Sequence, residues 1–379
     1  PCRGFVVRSV GGCCPGPCFR NAVEGEIDVN DKLPVAVIGG TGYVAGELLR
    51  LISGHPRFEL AAVASSSRAG EAVAETFPNL SGCIGATQFV PPQALSDQAK
   101  AGELAGVFSA IPHGAAAGLI AGLLDQCGAD GPRVVDTSAD FRFADVSRYE
   151  AIYGHSHGAP VAQAAFSCAV PEHLAGTPTR HAAQPGCFAT AMLLALVPLL
   201  RSGLVEPEFF IAGVTGSTGS GRTPLATTHH PERHANLFAY KPLAHRHAPE
   251  VEALSALATG IEPRVNFVPH SGPFARGIHI TIQGRSKTGV GGAELSRAML
   301  AAYPDSPFVE VVDAPPRIKQ VIGSNRARIH VQAARDSYVA MVVIDNLVKG
   351  AAGGAMQWMN RLLGCDEAEG LTAAGPAWI

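Results

Sequence analysis

The chain has 379 residues, 47% of them hydrophobic, enough for about two domains with sizeable cores. Its formal net charge of −3 lacks the basic excess of a nucleic-acid binder. The longest apolar run, Phe188 to Leu200, is too short to cross a bilayer and is interrupted by Pro198, which argues against a membrane partner.

Residues 1–32 read as an N-terminal extension, either a disordered tail or a targeting remnant. Up to Arg20 they carry arginines but no acid, and Cys2, Cys13, Cys14 and Cys18 crowd there. Cys14 and Cys18 have no second ligand pair after them, so no metal is expected. The remaining cysteines lack the spacing of a disulfide framework, which points to a reducing compartment. The expected location is the cytoplasm, or a plastid if the extension is a targeting remnant.

From Val35 the pattern becomes regular. Val35 to Gly39 is an apolar β-prone run, a glycine turn follows, and Tyr43 to Ser53 has helical spacing. Strands are predicted at Phe58–Ala64, Gly106–Ile111 and Arg133–Asp136, with a helix over Ala115–Gln126. This alternation predicts a parallel sheet with helical crossovers. Cys187 to Ser202 reads as an apolar helix. Longer strands follow at Phe209–Val214, Val265–Pro269, Ile278–Gln283 and Val339–Ile344, and Asn346 to Leu363 returns to helix. The fold class is α/β: a Rossmann-type dinucleotide-binding domain over 33–186 and an α+β catalytic and dimerisation domain with a mixed sheet over 187–345. The helix in 346–379 is expected to return to the first domain.

Gly39-Gly40-Thr41-Gly42-Tyr43-Val44 stands between a strand and a helix, where glycines let the backbone approach a pyrophosphate and helix N–H groups bind it. The second strand ends in Ala64-Ser65-Ser66-Ser67-Arg68 without the acid that usually bonds the ribose of NAD. Hydroxyls and a cation suit a 2′-phosphate, so Ser65, Ser67 and Arg68 predict NADP(H).

Pro185 and Gly186 form a turn ahead of Cys187. That places Cys187 in the first turn of a helix, where free N–H groups and the helix dipole favour a thiolate. Gly216-Ser-Thr-Gly219-Ser-Gly221-Arg222 resembles an anion-binding nest. His245 and His247, two apart, would point the same way from an extended segment, and the pair is the best acid/base candidate, one ring facing the reacting centre and the other contacting substrate. A zinc reading of the histidines between His229 and His247 lacks defined ligand spacing.

Several of these segments resemble the N-acetyl-γ-glutamyl-phosphate reductase family, relatives of aspartate-semialdehyde dehydrogenase. They are Gly39 to Leu48, Asp136-Thr-Ser-Ala-Asp-Phe-Arg142, Pro185-Gly-Cys-Phe-Ala-Thr190 and Thr215 to Arg222. The series continues with His245-Arg-His-Ala-Pro-Glu250, Arg276-Gly-Ile278 and Asp345-Asn-Leu-Val-Lys-Gly-Ala-Ala352. The resemblance runs from about Val35 to Met359. It implies Cys187 as nucleophile, His245 as acid/base, His247, Arg276 and Arg142 at the substrate, and Asn346 near the nicotinamide. The implied reaction is NADPH-dependent reduction of an acyl phosphate to an aldehyde and inorganic phosphate through a Cys187 thioester, in arginine biosynthesis. A homotetramer or dimer is also implied. Two other substrates or roles remain open in the sequence: a carrier-bound 2-aminoadipate phosphate of lysine synthesis, and a nucleotide-binding protein without catalysis. A third reading is a simple NADP alcohol dehydrogenase without a covalent step.

Overall fold

The computed structural model describes residues 32–377; the expected extension over 1–32 therefore lies almost wholly outside the described residues. The first half of the chain supplies β1 (Leu33–Ile38), α1 (Tyr43–Ser53), β2 (Phe58–Ala64), α2 (Val73–Thr76), β3 (Phe89–Val90), α3 (Pro92–Lys100) and β4 (Gly106–Ser109). It continues with α4 (Ala116–Cys127), β5 (Arg133–Asp136), α5 (Val146–Tyr153), β6 (Phe166–Cys168) and β7 (His181–Ala183). These seven strands form one parallel sheet in the order β3-β2-β1-β4-β5-β7-β6. Strand order reverses at β1, between β2 and β4, which is where a doubly wound sheet opens a crevice for ligand.

Side-chain alternation along β1 assigns the two faces. Val35 and Val37 pack with Leu48, Leu49 and Ile52 of α1, while Ala36 and Ile38 pack with Leu95, Ala99 and Ile120 of α3 and α4.

The chain then runs through α6 (Cys187–Ser202), β8 (Glu208–Thr215), α7 (His230–Arg233), β9 (Phe238–Ala239), α8 (His247–Thr259), β10 (Arg264–Ser271) and β11 (Ile278–Arg285). Last come α9 (Gly292–Ala302), β12 (Val309–Val311), β13 (Ala327–Ala334), β14 (Ser337–Ile344) and α10 (Gly353–Leu362). The second sheet is mixed, in the order β12-β13-β14-β11-β8-β10-β9. Its strands alternate buried and open residues, as in the β8 pattern, because only one face is covered. The covering helix α6 is apolar almost all round, with Phe188 to Leu200 buried throughout.

The predicted helix over Asn346–Leu363 has two parts. A π-helical turn over Val348–Ala352 precedes α10. The turn closes on Asp345, whose carboxylate Oδ1 accepts the Leu347 and Val348 N–H groups at 2.8 and 3.0 Å. α10 lies against the first sheet: Trp358, buried, donates its indole N–H to the Ala169 carbonyl at 3.1 Å, and Met356 and Met359 pack with Val35 and Leu48.

Candidate active site

The glycine turn after β1 has a different job for each glycine. Gly39 sits at φ 81°, and a Cβ there would meet the backbone of Ala110 and Ile111 at 2.7 Å. Gly40 turns inward, where a Cβ would lie 2.5 Å from the Val63 side chain. Gly42 has open space beside it and caps α1 without any side-chain bond. The first intrahelical bond is Gly46 N–H to the Gly42 carbonyl, so the preceding N–H groups have no helical acceptor. Thus Gly39, Thr41 and Gly42 line a cleft of about 650 Å³ together with Ser65, Ser67 and Arg68. Gly40, Tyr43 and Val44 do not line it, and the contribution left to Tyr43 and Val44 is their backbone N–H. Arg68 is half-exposed and pairs with Glu71 at 2.7 Å, a contact that solvent weakens. A dinucleotide fits this donor set: bare helix N–H groups for a pyrophosphate, hydroxyls and a guanidinium for a ribose phosphate.

Arg222 reaches the same cleft from beyond β8. It donates to the Thr41 carbonyl at 3.1 Å and the Thr76 carbonyl at 3.2 Å. The loop it ends is not an anion nest. The N–H groups of Gly216, Ser217 and Thr218 already donate to the carbonyls of Gly277, Phe274 and Ala275. The sequence reading failed there because those acceptors come from the β10–β11 connection, far along the chain.

Cys187 starts α6, as expected, behind the Gly186 cap. It is half-buried. Thr190 N–H makes the first helical bond, to Gly186. Burial nevertheless pushes the Cys187 thiol up, outweighing the Phe188 N–H and the positive charges of Arg142 and Arg246 that pull it down. Desolvation thus opposes the thiolate that the helix start favours.

The histidine pair arises by a different geometry from the extended segment predicted. Arg246 is the cap of α8, and His247 its first residue. His245 Nδ1 accepts the His247 N–H at 3.2 Å, and the two rings lie 4.7 Å apart. Because Nδ1 accepts, the proton of neutral His245 is on Nε2. Burial lowers His245 to about 4, with Arg246 and Lys241 adding to the shift, so it is neutral at pH 7. Its ring meets the edges of Phe188, Tyr240 and Phe267 at 5.8, 5.6 and 5.5 Å. Phe188 follows Cys187 directly and so ties the helix that Cys187 starts to this ring. His247 is buried deeper, is lowered well below 6.5 by desolvation, and its Nδ1 has no partner.

Sequence alone assigns Glu250 no role. It is fully buried, accepts the Gly186 N–H at 2.7 Å and pairs with Arg142 at 3.1 Å. Arg142 also donates to the Gln184 and Thr137 carbonyls at 2.9 Å each. Arg142, expected at the substrate, thus directs three of its N–H groups to Glu250, Gln184 and Thr137 around the turn before Cys187. Arg276, also expected there, bridges Asp345 at 3.1 Å and Glu47 of α1 at 2.6 Å. Asn346 accepts from Gly277 N–H at 2.7 Å and donates to Thr218 at 3.0 Å. Sequence could not separate these roles, since an arginine's acceptors are distant in the chain. On the other side of Cys187 stands Gly350 of the π-helical turn, where a Cβ would lie 2.8 Å from that of Cys187. Among the described residues no group of three or more His, Cys, Asp or Glu side chains comes together to hold a metal.

A parallel nucleotide-type sheet joined to a mixed sheet, with a cysteine at the helix start between them, defines a class of two-domain dehydrogenases. Family models match accordingly: "Semialdehyde dehydrogenase, NAD binding domain" over residues 34–172 and "Semialdehyde dehydrogenase, dimerisation domain" over 187–346. Similar folds include aspartate semialdehyde dehydrogenase II of Vibrio cholerae, with TM-score 0.62 at 14% identity over 88% of this chain and 98% of that one. The NADP-bound enzyme of Candida albicans has TM-score 0.62 at 15% identity, covering 88% and 99%. The chain belongs to the N-acetyl-gamma-glutamyl-phosphate reductase family. It is 38% identical to the reductase of Rhodospirillum rubrum over 350 residues, 90% of this chain and 98% of the relative. It is 39% identical to that of Pseudomonas aeruginosa over 349 residues, 90% and 98%.

Proposed function

We propose that the protein reduces N-acetyl-γ-glutamyl phosphate to N-acetylglutamate semialdehyde and inorganic phosphate, with NADPH as reductant, in arginine biosynthesis. The observation that carries this reading is a cysteine at a helix start whose neighbour Phe188 packs edge-on against a neutral histidine, in a chain that covers 98% of a reductase's length.

Cys187 sulfur attacks the acyl carbonyl, the C–O bond to phosphate breaks, and the thiol proton leaves on the phosphate. A dianionic leaving group carries that proton away, so a raised thiol pKa needs no separate base. The unbonded N–H groups at the start of α6 hold the carbonyl oxygen as charge develops. NADPH, held by Gly39, Thr41, Gly42, Ser65, Ser67 and Arg68, supplies the hydride. His245 Nε2–H hydrogen-bonds the oxyanion that the hydride leaves; when that adduct collapses the C–S bond breaks, the aldehyde leaves, and the Cys187 thiolate takes a proton from solvent to restore the thiol. Arg142, Glu250 and Gly350 position the nucleophile; Asn346 and Arg276 fix the floor joining α1 to β14.

Association is read at the open face of the second sheet, where Phe210 is 56% exposed in a surface bounded by Arg264, Gln283 and Tyr338. A "dimerisation domain" model over the same residues supports a dimer there, or a tetramer built from dimers. No helix among the described residues is long and apolar enough to cross a membrane. Bacterial relatives support a cytoplasmic site of action.

The test is NADP⁺ reduction driven by N-acetylglutamate semialdehyde and phosphate, beside the carrier-bound aminoadipate semialdehyde. Turnover that requires phosphate and prefers the N-acetylglutamyl substrate is expected. Cys187→Ser should keep dinucleotide binding and lose at least about 10³-fold in kcat. Normal turnover by that variant, or by the enzyme without phosphate, would sink the reading.

A further inference from the structure

His245 opens onto a second depression, of about 460 Å³, bounded by Tyr153, Lys241 and Arg246. Arg246 projects from the residue between the two site histidines. Its guanidinium lies over the Tyr153 ring, 5.6 Å from the centroid, so the ring fixes the direction of an otherwise flexible cation. Among the described residues neither Arg246 nor Lys241 forms an ion pair, although both are exposed. The nearest carboxylate of the site, Glu250, is fully buried and occupied by Arg142 and the Gly186 N–H. Lys241 and Leu243 adopt φ of 43° and 57°, a conformation that β-carbon residues rarely accept. The chain thus holds a strained segment that brings a lysine to the rim. The same positive field is felt within the site: Arg246 and Lys241 both lower His245, and Arg246 opposes the upward shift of Cys187.

A directed guanidinium and a lysine at the same rim, neither with an ion-pair partner among the described residues, make a subsite for an anion next to His245. The substrate brings two anionic ends. The phosphoryl end must lie at the sulfur, where the N–H groups at the start of α6 are free. The acyl chain extends away from it. We propose that Arg246, with Lys241, binds a free carboxylate on the acyl chain a few carbons from the reacting carbonyl and so sets substrate choice. This rests on the reading of function above and adds residues that the sequence did not single out.

The experiment uses the reverse reaction of the full chain with three varied reactants: N-acetylglutamate semialdehyde, its α-carboxamide, and phosphate. Arg246→Gln should raise KM for the carboxylate aldehyde on the order of 10- to 100-fold, the range of a lost charge-assisted hydrogen bond. It should leave the carboxamide and phosphate KM values within about twofold, with Arg246→Lys recovering part of the loss. Lys241→Gln should show the same pattern, more weakly. Equal losses on carboxylate and carboxamide would overturn the subsite. A rise in the phosphate KM alone would move these cations to the phosphoryl group and also overturn it. If the unchanged enzyme turned over neither aldehyde, the reading of function would fail first and the subsite with it.

Discussion

Gly350→Ala tests how Cys187, the proposed nucleophile, is held. Gly350 lies in the π-helical turn over Val348–Ala352, with its N–H bonded to the Asp345 carbonyl at 3.0 Å. A Cβ there would stand 2.8 Å from Cys187 Cβ, 3.1 Å from Cys187 Cα and 3.3 Å from Ile344 Cδ1. Carbons pack at about 3.5–4.0 Å, so the shortfall against Cys187 is roughly 1 Å. Neither side yields easily. Cys187 belongs to a helix buried along its length, and the turn is tied to Asp345 by three N–H groups. Overpacking of this kind costs about 1–3 kcal/mol of stability. A misplacement near 1 Å at the reacting atom costs about 10²-fold in rate. The expected result is kcat down by about 10²-fold, a slower reaction of Cys187 with iodoacetamide, and nucleotide affinity by calorimetry little changed. Gly122→Ala, in α4 with nothing within 4 Å of the new carbon, is the control. It should leave kcat alone and gain up to about 1 kcal/mol of stability. Wild-type kcat and alkylation rate in Gly350→Ala would refute the packing argument.

Glu250→Ala should destabilise by about 3–5 kcal/mol in urea unfolding, since it strands the buried Arg142 charge and removes the acceptor of Gly186 N–H. A loss below about 1 kcal/mol would mean that water reaches Arg142. Acid stability follows from histidines kept neutral by burial: His245, His55 and His181 are lowered to about 4 and His173 to about 3, from 6.5. The unfolded chain then binds more protons between those values, so stability is complete above pH 6.5. It falls as pH drops toward 4, by about 1.4 kcal/mol per pH unit for each such histidine. Stability that is flat from pH 7 to 4.5 in denaturant titrations would contradict the neutral burial of these rings.

The first sheet was readable where periodicity and turn chemistry agree. β2, β5, α1 and α6 fall on the residues that local pattern predicts, because apolar runs of the right length are bounded by glycine or proline. The short strands β3, β6, β7 and β9, of two or three residues each, carry no period and exist only through their neighbours' ladders. β13 was missed although Ala327, Ile329 and Val331 alternate with Arg328, His330 and Gln332 as a half-buried strand requires, and α9 was missed because it opens on a glycine pair. In the site, the position of Cys187 at a helix start was legible from its Pro-Gly turn, whereas the helical setting of the His245 and His247 pair was not. Their electrostatics were not, because desolvation depends on what packs above a residue. Lys349 is the extreme case: a fully buried ammonium whose acceptors, Glu172 at 2.5 Å and Gln357 at 2.7 Å, lie 177 and 8 residues away.

The seating of α10 has a consequence for how the chain is made. Ala355, Met356, Trp358 and Met359 complete the layer that covers Val35, Val37, Phe108 and Val135. During synthesis these strands emerge before the whole mixed sheet, and their lid only after it. One face of the nucleotide half stays wetted, or borrowed by chaperones, until the mixed sheet has been translated. A stop codon ahead of Gly353 therefore lays bare strands made long before it.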